Sequence, residues 1–240
     1  MSTFAELQHL CATLLDSVRE NPEHLMIIVQ RVALYTVLGA TIDATFETYR
    51  HICTTGRLPN RTGHYRYGYL AIRTAQYVLP IWRDDMQRAL ALDDTFPIDL
   101  PEQMLDTALG VLQGTRNIIE AERLLNGEYH HAFGALVNAP HPTYCAANAA
   151  YDALRMILGL PPFGRVLRGD ETDVTIDVSQ GDVVTSALAA YTAIDKNNSP
   201  QINRHITPFI PIEFDRQKRL TFWEWWLTDA VPSVWNSGEV

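Results

Sequence analysis

The chain has few cysteines, no excess of positive charge and no long uninterrupted apolar run, and each shortage excludes something. Its three cysteines, Cys11, Cys53 and Cys145, lie far apart and share no CxxC or Cys/His ligand spacing. A disulfide framework or structural zinc site is therefore not expected, and a reducing compartment is the simpler inference. Lysine and arginine together number 19 against 28 aspartates and glutamates, giving a formal net charge of −9. Phosphate-binding surfaces depend on clustered Lys and Arg, so no nucleic-acid partner is expected. This balance would suit a basic protein partner, although moderate negative charge also simply keeps a protein soluble. The most apolar stretch, LMIIVQRVALYTVLGA, carries Gln30 and Arg31 in its middle. It falls short of the roughly 18 uninterrupted apolar residues of a spanning helix, so it reads as a buried helix and no membrane partner is expected. No basic, apolar and small-residue succession opens the sequence, which points to a cytoplasmic protein without a secretory signal.

Signatures of chemistry are also scarce. There is no GxSxG elbow, Walker loop, GxGxxG after a strand, HExxH or calcium loop, so the common motif-bearing enzyme classes lose support. Two Glu-x-x-His pairs occur, Glu6 with His9 and Glu128 with His131, a spacing that di-iron helical bundles use when both side chains point inward. On the first helix, however, Glu6 and His9 lie opposite the apolar stripe, so no metal ligands and no cofactor are expected. His64, His130, His141 and His205 fall near breaks or helix ends.

What the sequence does have is helical periodicity. Thr3 and Glu6 have capping-box spacing, and Phe4, Leu7, Cys11, Leu14 and Val18 recur at steps of three and four. Asn21-Pro22 ends that helix and is expected to start a second, running toward Gly56 and placed centrally because its first half is apolar nearly all round. TTGRLPNRTGHYRYG separates it from YLAIRTAQYVLPIWRDDMQRALAL, which Pro80 should kink or split. A helix from Glu102 through Leu125 should stop at Asn126-Gly127, with a shorter one following from Glu128 to about Val137. CAANAAYDALRMILGL is rich in small residues, which allows neighbouring backbones to approach closely, and Pro161-Pro162 should stop it. Val174, Ile176 and Val178 alternate with polar residues, consistent with one short strand or an ordered loop. Asp182 to Ile194 is again helical, and a turn-rich connection leads from there into the last helix. The expected fold is an all-α, single-domain multi-helix bundle over 1–240, with about eight to ten helices and at most one short strand or hairpin.

The last helix holds four of the five tryptophans within Trp223 to Trp235. At about 100° per residue, Leu220, Phe222, Trp223, Trp226, Leu227 and Ala230 share an arc of roughly 160°, the width of a core-facing stripe. Trp225 falls on the other side among Glu224, Thr228 and Asp229. It is either a second layer of packing or an exposed anchor for a partner.

Asp170, Glu171, Asp173 and Asp177 crowd into GDETDVTID. Such a run could coordinate a hard cation or steer a basic partner, and is most often simply solvated. Arg57, Arg61, Arg66 and Arg73 interleave with Tyr65, Tyr67 and Tyr69, which packing of Arg stems over Tyr rings explains better than an RNA-binding stripe.

Two stretches carry a family resemblance. LAIRTAQYVLPIW, followed by TFPIDLPEQMLDTALGVLQG, resembles the middle of the fifth immunity protein family of bacterial polymorphic toxin systems, and RLTFWEWWLTDAVPSVW looks like that family's end. Together they cover about a quarter of the chain. The resemblance implies an all-helical, cytoplasmic, non-enzymatic protein that binds and blocks a cognate toxin made by the same cell. It supplies no site residues. The partner-binding candidates from this sequence itself are Trp225, Asp229, Asp170, Glu171 and Asp173, acids for steering and an indole for anchoring. Two rivals remain: a helical enzyme with a pocket beneath Tyr129 to His141, and a regulatory or structural helical module.

Overall fold

In a computed structural model, residues 2–40, 42–59, 62–89, 98–136, 141–160, 169–176, 178–194 and 214–237 are described. Pro161, Pro162, Arg61, Asp177, His205 and the 195–213 connection lie outside them. The described residues form an all-α multi-helix bundle of nine helices with no strand. The helices are α1 (Phe4–Glu20), α2 (Ile28–Leu38), α3 (Ile42–Thr55), α4 (Thr62–Ala89), α5 (Leu100–Leu112), α6 (Ile118–Leu124, with a π-helical turn Leu125–Tyr129 and a further turn His130–Ala135), α7 (His141–Ile157), α8 (Val183–Thr192) and α9 (Arg216–Trp225, with a π-helical turn Trp226–Ala230 and a last turn Val231–Ser233).

α1 forms as its sequence dictates. Thr3 Oγ1 accepts from the Glu6 amide at 3.2 Å and Glu6 Oε2 accepts from the Thr3 amide at 2.6 Å, closing the capping box. Leu7, Cys11, Leu14, Leu15 and Val18 are buried. Phe4 is 39% exposed and leans on Trp235, ring centroids 5.9 Å apart.

Four helix boundaries differ from expectation. Asn21-Pro22 ends α1 without starting α2. The Asn21 side chain instead accepts from the Glu23 amide in a local turn, and the chain runs on without helix until Ile28. The long helix expected toward Gly56 is broken at Gly39, whose φ of +91° is a left-handed conformation that favours glycine. There α2 meets the start of α4 so closely that a Cβ on Gly63 would sit 2.3 Å from the Gly39 carbonyl oxygen. The 102–125 helix divides at Gly114, φ +69°, after which Asn117 caps α6 by accepting from the amides of Ile119 and Glu120. Asn126-Gly127 does not stop α6, because a π-helical turn absorbs both residues.

The centre of the bundle is α7, packed against α4, α5 and α8, and not α2 as the apolar run suggested. Ala146, Ala147, Ala149, Ala150 and Ala153 are all buried, so neighbouring helices can come close to α7 on several sides. α2 lies further out, with Val29 45% exposed. α4 stays one helix through Pro80, whose ring faces solvent.

α9 closes the bundle against α1, α4 and α8. Phe222, Trp223, Trp226, Leu227 and Ala230 are buried as the periodicity required. The Trp226 indole N–H donates to Thr74 Oγ1 on α4 at 3.1 Å. All nine helices contribute to one large apolar core.

Candidate partner-binding surface and its buried support

The acidic segment is organised from beneath. Arg31 on α2 is fully buried, and its Nη2 lies 2.9 Å from Asp182 Oδ1 while donating to Thr185 Oγ1 at 2.8 Å. Asp182 is fully buried too and serves three groups at once. Its Oδ1 caps α8 by accepting from the Thr185 amide at 3.0 Å, and its Oδ2 accepts from the Tyr35 hydroxyl at 2.5 Å. A buried charge survives only when paired and hydrogen-bonded, so this cluster fixes how α2 meets α8. Tyr67 on α4 packs edge-on against Tyr35 at 4.7 Å. Burial, and then the Asp182 carboxylate, push the hydroxyls of both tyrosines well above the ordinary tyrosine range, so both remain neutral phenols.

A second polar group adjoins the first along α8. Asp152 Oδ2 on α7 accepts from Asn148 Nδ2 and from Ser186 Oγ, each at 2.9 Å, and Arg155 Nη1 reaches Asp152 Oδ1 at 3.2 Å. Burial pushes the Asp152 carboxyl up to about 7, against the pull of Arg155 and the Ser186 hydrogen bond.

Residues 169–176 are tied to the start of α2. Ile27 and Thr172 form an isolated antiparallel bridge, the Ile28 amide donates to the Glu171 carbonyl at 2.8 Å, and the Met26 amide donates to Asp173 Oδ1 at 3.3 Å. Burial raises the Asp173 carboxyl to about 6, with Arg31 and Arg219 drawing it down. Residues 172–176 form a turn in which the Thr175 and Ile176 amides both donate to the Thr172 carbonyl. The alternation at Val174, Ile176 and Val178 thus belongs to a turn leading into a short 3-10 segment, Val178–Gln180.

Of the five partner-binding candidates, two need correction. Glu171 and Asp173 are 1% and 7% exposed, so they cannot present charge to a partner. Asp173 is turned inward by the Met26 amide and by the arginines it faces. Asp170 is exposed. Asp229 is exposed and ion-paired with Arg73 at 2.6 Å. Trp225 is half-buried, its ring stacked on Tyr77 with centroids 3.7 Å apart and 14° between planes. Tyr77 also touches Tyr191 and Phe222, so Trp225 caps an aromatic layer between α4, α8 and α9. The sequence reading missed Arg31, Tyr35, Tyr67 and Asp152, although Arg31 was visible as a charge inside an apolar run.

The other candidates serve structure. Arg66 lies over the Trp235 ring at 3.7 Å and donates to the Trp235 carbonyl, and Tyr67 is buried. Glu6 is used in the capping box, while His9, Glu128, His130 and His131 are exposed. Tyr129 is buried, its hydroxyl 2.9 Å from Thr107 Oγ1. Among the described residues, no three His, Cys, Asp or Glu side chains are grouped to hold a metal ion, and no helix is long and apolar enough to cross a membrane.

The two buried carboxyls set a pH dependence. Both have folded-state values above the ordinary aspartate value of 3.8. Between about pH 4 and 7 the folded chain therefore binds more protons than the unfolded one, and stability from these groups is lost as pH rises through that window. The urea midpoint is expected to be higher at pH 5.5 than at pH 7.5, with the difference reduced in Asp152→Asn. Equal midpoints in the wild type would show that neither carboxyl is displaced.

These features define an all-helical protein whose interior charges hold helices together. Its family follows from comparison. The family described as Immunity protein Imm5 matches residues 12–233, and the chain belongs to that family. A search of the curated proteins finds no match.

Proposed function

We propose that this chain is a cytoplasmic, non-enzymatic immunity protein that neutralises a cognate polymorphic toxin domain in the bacterial cell that makes both, by stoichiometric binding. The observation that carries this reading is the family match over residues 12–233, since an immunity protein presupposes a toxin to be immune to. The net charge of −9 supports a basic toxin, because opposite charges speed encounter and select the partner. The core that all nine helices share supports taking 1–240 as one domain. Trp225, Asp229 and Asp170 are the exposed or half-exposed candidates for contact.

The test is co-expression with the toxin domain encoded by the neighbouring gene. Cells carrying both are expected to survive where cells carrying the toxin alone die, and the two chains are expected to co-purify at one-to-one stoichiometry. Survival without complex formation would replace binding with another mode of protection. Death of the doubly expressing cells would remove the immunity assignment for that toxin.

A further inference from the structure

Six large apolar side chains are exposed among the described residues: Phe4, Ile27, Val29, Ile119, Val174 and Ile194. Three of the six, Ile27, Val29 and Val174, come from two short segments that the Ile27–Thr172 bridge ties together. A soluble surface ordinarily scatters such residues singly, and a local concentration marks an interaction site. Beneath them Ile28 and Ile176 form a small buried cluster with Val32, separate from the main core, so this corner has apolar support of its own.

Charge narrows the occupant. From Glu20 to Gln30 and from Gly169 to Val178 the sequence has no lysine or arginine. Asp170 and Val174 are both exposed on the segment that the bridge ties to Ile27. Arg31 is buried and occupied by Asp182, and Arg216, which reaches this region, is paired with Glu23 at 2.5 Å. The exposed charge on the bridged segment is thus the acid Asp170, with no exposed lysine or arginine of its own among the described residues. A second copy docking face to face would set like charges together. A basic protein surface with a projecting apolar group would complement it.

We infer that the corner formed by Ile27, Val29, Val174 and Asp170 is the docking site for a basic face of the cognate toxin. This rests on the immunity function proposed above. The corner is held in place before any partner arrives, through the Met26–Asp173 and Ile28–Glu171 hydrogen bonds and the Arg31–Asp182 pair. A surface ordered in advance loses less conformational freedom on binding. In tight inhibitors a few central apolar side chains carry most of the affinity while rim charges set the association rate.

The probe is the toxin domain encoded by the neighbouring gene, titrated with the full chain. The double variant Val29→Lys/Val174→Lys changes only exposed positions and is expected to weaken Kd by at least about ten-fold. Asp170→Lys is expected to slow association several-fold at low salt, with the difference vanishing at high salt. Gln113→Lys, on the exposed end of α5, should leave both unchanged. If the double variant folds, by circular dichroism and melting, and binds like wild type, this surface is wrong while the immunity function stands. If wild type itself does not bind, the immunity function fails and the surface with it. Should the double variant not fold, hydrogen exchange on the wild-type complex decides: protection of amides 26–30 and 170–176 supports the site, and unchanged exchange there overturns it.

Discussion

Arg31→Met is expected to destabilise the protein by about 3–5 kcal/mol, the usual consequence of removing one partner from a buried ion pair. The methionine fills much of the volume, so the loss is electrostatic. Asp182 would remain fully buried with the Thr185 amide and Tyr35 hydroxyl but no countercharge, and Asp173 would lose one of the two arginines it faces. The desolvation of Asp182 is then no longer offset. Replacing both members, as in Arg31→Met/Asp182→Leu, should recover part of the loss, although α8 would still lack its cap. Urea unfolding of the three chains checks this. A loss of under about 1 kcal/mol for Arg31→Met, the value of an exposed pair, would mean that water reaches the pair.

Trp226→Ala is expected to cost a similar amount, about 3–5 kcal/mol, for a different reason. Its ring is fully buried and packs edge-on against Trp223 at 5.7 Å, and its N–H donates to Thr74 on α4. Removing it leaves a cavity where α9 meets α4 and takes a donor from the Thr74 hydroxyl, which itself donates to the Leu70 carbonyl at 2.8 Å. For a chain of this size the loss corresponds to a fall in Tm on the order of 10 °C. Trp225→Ala is the informative comparison. Trp225 stacks one face on Tyr77 and stays half-exposed, so its loss should be clearly smaller. Equal losses would mean that Trp225 is as much a core residue as Trp226.

The helices were legible wherever one buried face repeats at helical spacing. The stripe of α1, the helix beginning near Asp182 and the arc of α9 were all in the sequence. What failed was punctuation, because the same residues can end a helix or be absorbed by it. Gly39 breaks a run that looked continuous, and the reason is tertiary: α4 starts against it and leaves no room for a Cβ at Gly63. Asn126-Gly127 reads as a stop but fits inside a widened turn. Pro80 reads as a kink or split but stays within α4, on its exposed side.

The surface was less legible than the fold. Asp170, Glu171 and Asp173 look equivalent in sequence, yet only Asp170 is exposed. Asp173 is drawn toward Arg31 and Arg219, which lie far away along the chain. Arg31 was itself a signal, since an arginine in the middle of an apolar helix needs an acid from elsewhere, and Asp182 supplies it. The family resemblance implied a partner without indicating a face. The cluster of exposed Ile27, Val29 and Val174 appears only once residues 27 and 172 are bridged.

The salt bridge between Arg19 on α1 and Glu224 on α9 spans 205 residues of sequence. Long-range pairings of this kind make folding slow, because a wide loop must close before any contact rewards it. On the ribosome, the apolar stripe of α1 emerges well before α9 exists to cover it, with 205 residues separating Arg19 from Glu224. A nascent chain in that interval exposes Leu7, Leu14 and Val18, and such exposure is what recruits chaperones and drives aggregation. Codon or temperature changes that slow elongation should therefore lower the soluble yield of this chain without altering the stability of the finished molecule.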